Sequence, residues 1–249
     1  MHGRTPRAPT TLHDTNGLGF LHRERARFYA GRSEILEVRL EPATGDGFVI
    51  DVRGVGDLTA VTATSGGTTI GAFATLESVR EHAPALASAQ TSASGLRLRL
   101  ILLDAKVNVT GIGRSRSSSP DALALAAYEL PTTIDVPPIA PGTGFADRHR
   151  MTRDRDASFA LSVSVALRIS ALGRFENVRI VVELDGVLAR ALQAEAKLEK
   201  QRVDPGLFAE AARLSAHAIE STDARSSSAA RALTPLVMAT LRDALVAAG

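Results

Sequence analysis

The stretch FALSVSVALRIS, residues 159–170, decides the fold. Phe159, Leu161, Val163, Val165, Leu167 and Ile169 alternate without a break with Ala160, Ser162, Ser164, Ala166, Arg168 and Ser170. A period of two puts every large apolar side chain on one face of an extended chain and the small or polar ones on the other, the pattern of a half-buried strand. After turn residues at Leu172 to Glu176, Val178, Ile180, Val182 and Leu184 repeat the alternation. Together the two runs predict a long β-hairpin over about 158–187. Its Ser/Ala face is suited to a packed helix or to another subunit.

Downstream the spacing turns helical. Residues 186–202 place Leu188, Leu192 and Ala196 on one face, and Asp204-Pro205 supplies an N-cap and first-turn proline for a helix carrying Phe208, Ala211, Ser215 and Ile219. Thr234-Pro235 repeats the device before Leu236, Val237, Leu241, Ala244, Leu245 and Ala248. Ser119-Pro120 is a third X-Pro helix start.

Upstream, residues 131–147 contain four prolines and read as an extended, polyproline-like connector. Asp121 to Leu130, DALALAAYEL, has a helical composition, and the alternating Leu96 to Leu102, LRLRLIL, reads as a strand. Thr75 can cap a helix from Leu76 to about Gln90. A hairpin is expected from 35–41 and 48–53 around a turn at 43–47, with short strands at 58–64 and 68–73. Residues 1–32 form an arm with six arginines (4, 7, 23, 25, 27 and 32) against Asp14 and Glu24, with one short helix around Leu21 to Tyr29.

The predicted class is therefore α+β, mainly antiparallel, with the 158–187 hairpin packed by C-terminal helices. Its expected division is a basic arm (1–32), a β-rich part with two helices (33–130), the connector (131–147), and a hairpin with helices (148–249) that shares a domain with 33–130 if the strands share a sheet.

Composition excludes several chemistries. The chain of 249 residues has no cysteine, which removes disulfides, thiolate metal sites and cysteine nucleophiles. Its net charge of +2 lacks the broad basic field of a nucleic-acid binder. Absent tryptophan and 4% aromatic content argue against a single-strand stacking platform. No apolar run reaches bilayer length and no secretory signal is evident, so a cytoplasmic location without membrane contact is expected.

The loop GIGRSRSSSPD, residues 111–121, follows an alternating run at 107–110 and resembles a phosphate cradle in composition. It fails the dinucleotide pattern, which needs glycine where Arg116 stands, and it lacks the lysine of a Walker loop. What remains is a general anion site: Arg114 and Arg116 as fixed charges, Ser117 and Ser118 as hydroxyl donors, beside a helix start at Pro120. Pro141 to Gly144 also lacks the phosphate-loop lysine, and Ser65 lacks the first glycine of a nucleophile elbow. The histidines show no metal-ligand spacing; His13-Asp14 and Asp147/His149 are the local acid–imidazole neighbours, and Glu183 with Asp185 is a paired-acid candidate on a strand face. No metal and no cofactor is expected.

With every catalytic template failing, the leading expectation is a non-catalytic binding or assembly protein, a structural or scaffold component that associates with itself or another protein. The alternative is a phosphate- or nucleotide-handling enzyme using residues 111–121. A third is nucleic-acid binding through the arm with Arg97 and Arg99.

Overall fold

The computed structural model describes residues 10–11, 26–40, 48–87, 91–111, 114–126, 128–153, 158–220 and 226–249. The chain forms two compact units, residues 1–138 and 139–249. In the first, the order is β1 (Thr10–Thr11), β2 (Ala26–Tyr29), β3 (Gly31–Arg32), β4 (Arg39–Leu40), β5 (Phe48–Asp51), β6 (Val61–Thr64), β7 (Gly67–Gly71), α1 (Leu76–His82), α2 (Ala93–Leu102), β8 (Lys106–Gly111), β9 (Arg114–Ser118) and β10 (Glu129–Val136). The second continues with β11 (Thr143–Arg153), β12 (Ser158–Ile169), β13 (Phe175–Leu184), β14 (Val187–Arg190), α3 (Leu192–Leu198), α4 (Gly206–Glu220) and α5 (Ser226–Ala248). The class is α+β with mainly antiparallel pairing, as the sequence predicts.

The second unit is built on the hairpin read from residues 158–187. β12 and β13 pair antiparallel with Val163 opposite Val182 and Val165 opposite Ile180, inside a sheet ordered β11-β12-β13-β14. Leu161, Val163, Val165 and Leu167 form one buried cluster with Phe208, Leu233, Val237 and Leu241 from α4 and α5. Each such side chain removed from water contributes about 1.5–3 kcal/mol, and the alternation directs all of them to the same side. The helices thus lie on the Leu/Val face, not on the Ser/Ala face. Phe175 and Phe208 meet with ring centroids 5.9 Å apart at a tilt of 49°, a favoured aromatic geometry.

β14 pairs with only the last part of β13, from Val181 to Leu184. Helix α3 serves the rest. Glu195 accepts from the Ile180 amide at 2.9 Å, and the two oxygens of Glu199 accept from the Asn177 and Val178 amides at 3.2 and 3.0 Å. Arg190 closes a fork on Glu195 at 2.9 and 3.1 Å. Carboxylates one helical turn apart here take the place of a neighbouring strand.

The first unit holds a five-stranded antiparallel sheet ordered β6-β7-β10-β8-β9, a three-stranded sheet β1-β5-β2, and a β3–β4 pair. Several expectations are corrected. LRLRLIL belongs to helix α2, capped by Ser92, whose hydroxyl accepts from the Gly95 amide. Leu96, Leu98, Leu100, Ile101 and Leu102 are all buried, so the helix is covered on more than one side and shows no single apolar stripe. Leu and Arg are also good helix formers, unlike the β-branched residues of β12.

Residues 35–41 and 48–53 do not form a hairpin. β4 pairs antiparallel with β3, whereas β5 runs parallel to both β1 and β2. In DALALAAYEL, Asp121 and Ala122 complete a short 3-10 turn begun at Pro120, residues 123–126 are irregular, and β10 starts at Glu129. Most of the expected connector is strand, with Pro131 accommodated where the β10–β8 register shifts. β14 occupies residues expected as helix between 186 and 191, and the helix from Leu76 ends at His82. Of the X-Pro starts, Asp204-Pro205 precedes α4, with the Asp204 carboxylate accepting from the Gly206 amide at 2.8 Å. Pro235 instead lies inside α5, where buried Ala229, Leu233, Val237, Leu241 and Ala244 on one face outweigh a proline cost of about 3 kcal/mol. Residues 26–29 are strand β2, and the remainder of the arm's expected helix and the turn at 43–47 lie outside the described residues.

Gly144 lets β11 lie directly against α5. A Cβ there would collide with the Ala244 carbonyl oxygen and the Ala248 backbone nitrogen. Gly144→Ala is expected to lower unfolding stability by about 1–3 kcal/mol through overpacking, measured by denaturant titration beside the parent.

Candidate functional site

The candidate anion residues lie on β9 rather than on a loop before a helix. β8 and β9 form a hairpin with Val109 opposite Arg116 and Asn108 opposite Ser117. Ile112 and Gly113 lie outside the described residues. The turn that follows at Pro120–Ala122 is three residues long, so the regular helix N-terminus expected there is absent from the described residues.

β10 enters beside this hairpin and brings Glu129 opposite Gly111. Arg116 forks onto the Glu129 carboxylate, Nε donating to Oε1 at 3.0 Å and Nη2 to Oε2 at 2.8 Å. The same Nη2 donates to the Ala124 carbonyl, and the Ala126 amide donates to Glu129 Oε2 at 3.0 Å. Only 5% of the Glu129 side chain is exposed. The Arg116 hydrogen bonds outweigh burial and hold its carboxyl down to about 2. This bidentate pair straps residues 124–126 onto the sheet.

Arg114 donates to the Tyr128 hydroxyl at 3.1 Å, its guanidinium 5.9 Å from the ring centroid. Ser117 donates to Asn108 Oδ1 at 2.7 Å, and Ser118 donates to the Ala122 carbonyl at 3.2 Å. Asn108 continues the line, donating to Asp135 Oδ2 at 2.6 Å and to Thr133 Oγ1 at 3.0 Å, while Thr69 donates to Asp135 Oδ1 at 3.1 Å. A polar ladder therefore crosses four strands, β7-β10-β8-β9. Sequence reasoning missed Asn108, Glu129 and Asp135, because only the cross-strand register assembles them.

The other candidates are dispersed. In β11, His149 Nδ1 lies 3.0 Å from the Ser162 hydroxyl, and Asp147 accepts from Ser164. Glu183 is in β13, but Asp185 is in the following turn with φ +49° and accepts from the Ala160 amide at 2.8 Å, so the two acids do not share a strand face. Arg97 pairs with Glu37 at 2.8 Å and Arg99 donates to the Leu86 carbonyl at 3.1 Å, both from helix α2 rather than a strand. Ser65 occupies the β6–β7 turn. His13, Asp14 and Arg4, Arg7, Arg23 and Arg25 of the arm lie outside the described residues. Among the described residues, no three His, Asp or Glu side chains converge on a metal-sized site, and no helix is long and apolar enough to cross a membrane.

No family model and no curated protein matches the sequence. Solved structures do match in fold. A chain of carbon monoxide dehydrogenase from Hydrogenophaga pseudoflava, lacking the Mo-pyranopterin moiety of its molybdenum cofactor, aligns with TM-score 0.63 at 19% identity over 98% of both chains. Reconstituted CO dehydrogenase from Oligotropha carboxidovorans gives 0.62 at 19% over 98% of this chain and 99% of that one. Quinoline 2-oxidoreductase from Pseudomonas putida 86 gives 0.60 at 19% over 98% of both. These neighbours are oxidoreductase chains, which overturns the expectation of a non-catalytic structural or scaffold protein.

The Glu129 pair has a pH signature. Because its folded value lies below the ordinary 4.5, its stabilisation is full above about 4.5 and is lost as pH falls towards about 2. Glu129→Gln is expected to cost about 1.5–3 kcal/mol at pH 7 and to flatten the stability profile between those pH values, measured by denaturant titration across acid buffers.

Proposed function

We propose that this chain is a subunit of a molybdenum-containing oxidoreductase and acts within an assembly whose metal centre is held by another chain. The observation that carries this reading is the end-to-end fold match, which covers 96–98% of this chain and 96–99% of each neighbouring oxidoreductase chain at TM-scores of 0.60–0.63. The likeness runs along nearly the full length of both chains, which supports a whole-chain counterpart over a shared fragment.

Among the described residues, none are grouped to hold a metal centre of their own. The chain has no thiolate to offer, and its described carboxylates and imidazoles are spread over separate strands and turns. Arg116, Arg190 and Arg97 are engaged with Glu129, Glu195 and Glu37, so these charges are taken up in holding the fold. Association with a partner polypeptide follows from the subunit reading, and a reducing cytoplasmic setting agrees with the absence of cysteine.

Purification of the tagged chain from its native host tests the proposal. The expected result is a complex well above 26.2 kDa that contains molybdenum at a fixed ratio to the tagged chain. A lone or purely homo-oligomeric chain without molybdenum overturns it, as measured by light scattering with elemental analysis.

A further inference from the structure

Between β12 and β13 the chain turns through Ser170-Ala171-Leu172-Gly173-Arg174. The turn is held from within: the Gly173 amide donates to the Ser170 carbonyl at 2.9 Å, the Ser170 amide donates to the Arg174 carbonyl at 2.9 Å, and the Arg174 amide donates to the Ser170 hydroxyl at 3.1 Å. Gly173 has φ +67°, where a side chain would strain the backbone.

A second segment, residues 199–203, ties the turn from the side. The Phe175 amide donates to the Gln201 carbonyl at 2.9 Å, the Lys200 amide to the Phe175 carbonyl at 2.8 Å, and the Val203 amide to the Gly173 carbonyl at 3.0 Å. Arg174 Nη1 donates to the Lys200 carbonyl at 2.9 Å, and Arg174 forms a β-bridge with Arg202 across the two segments. The tip is thus pre-organised, yet it carries Leu172 with 79% of its surface exposed. Rigid presentation of an apolar side chain lowers the ordering cost of docking.

The charge around Leu172 is one-sided. Neither the Lys200 ammonium nor the Arg202 guanidinium has a partner among the described residues, and Arg174 meets a neutral carbonyl. The nearby acids are already engaged: Glu176 with Arg168 at 2.5 Å, Glu199 with the amides of Asn177 and Val178, and Asp204 with the Gly206 amide.

We infer that this tip is a docking knob for a partner subunit, Leu172 entering an apolar recess whose rim carries carboxylates facing Arg174, Lys200 and Arg202. Complementary charge fixes orientation and speeds encounter, and the desolvated leucine supplies the anchor. A lipid surface fits less well, since even a myristoyl chain, far larger than one leucine side chain, holds a membrane only reversibly. The inference rests on the subunit reading.

The test compares the tagged parent with Leu172→Asp and with Lys200→Glu/Arg202→Glu, purified from the native host. Both variants alter exposed side chains, so their thermal midpoints should match the parent's. Partner recovered per tagged chain should fall at least about tenfold, and the parent complex should weaken with salt. Full retention of the partner by both variants overturns the knob while leaving the subunit reading intact. A partner that brings no molybdenum overturns only the subunit reading, and a parent that purifies alone overturns both. Sedimentation of the parent with phosphatidylcholine–phosphatidylglycerol vesicles, lost in Leu172→Asp, would reassign the tip to a lipid surface and overturn the protein partner.

Discussion

Leu161, Val163, Val165 and Leu167 leave water together or not at all, because strand geometry holds them on one face at a fixed spacing. That constraint organises residues 139–249. It requires a layer of helices on one side of β12, it sets the β12–β13 register, and it brings α5 close enough that β11 needs glycine at 144. A one-residue slip would put Ser162 and Ser164 against Phe208 and Leu241, so the register is strongly specified. The hairpin tip inherits its position from the same register, which is why a turn with an exposed leucine can still be rigid.

Carboxylates solve the problem the strands leave over. Where β14 stops short, Glu195 and Glu199 accept the amides of Asn177, Val178 and Ile180 that no strand pairs on that edge. In the first unit, Glu129 receives the Ala126 amide together with Arg116. Glu195 and Glu129 are buried and each is forked by an arginine, so desolvation is offset by charge-assisted hydrogen bonds. The arginine-rich composition is thus used inside the fold for planar, two-point contacts that lysine cannot make.

The sequence showed the second unit better than the first. FALSVSVALRIS alternates with β-branched residues, and its large apolar side chains all meet the helices on one face while Ser162, Ser164 and Ala166, though buried as well, stay small on the other, so local pattern and tertiary role agree. LRLRLIL alternates as cleanly but folds as a helix, since Leu and Arg carry little strand preference and burial on several sides erases the 3.6-residue stripe. Pro235 misled for a related reason: packing along α5 overrides a local start signal. For the candidate site, Arg114, Arg116, Ser117 and Ser118 were visible as residue types, but their partners were not. Glu129 lies thirteen residues from Arg116 and Asp135 lies 27 from Asn108, distances that only the β9-β8-β10 register closes.

Failure of every catalytic template was weak ground for a non-catalytic reading, because such templates assume that the reacting groups lie in one chain. A subunit can share an enzyme's fold, hold its own charges in fixed pairs and still leave the metal chemistry to a neighbour. What its sequence then encodes is packing and contact geometry, which short motifs do not report. Under that reading, informative residues are those that the fold has no use for internally. Leu172, Lys200 and Arg202 meet that description: they sit on the turn at 170–174 and the segment at 199–203 that ties it, held by backbone hydrogen bonds to which their side chains contribute nothing. Arg116 and Glu129 are the opposite case, since each is fully employed by the other and by the chain they strap down.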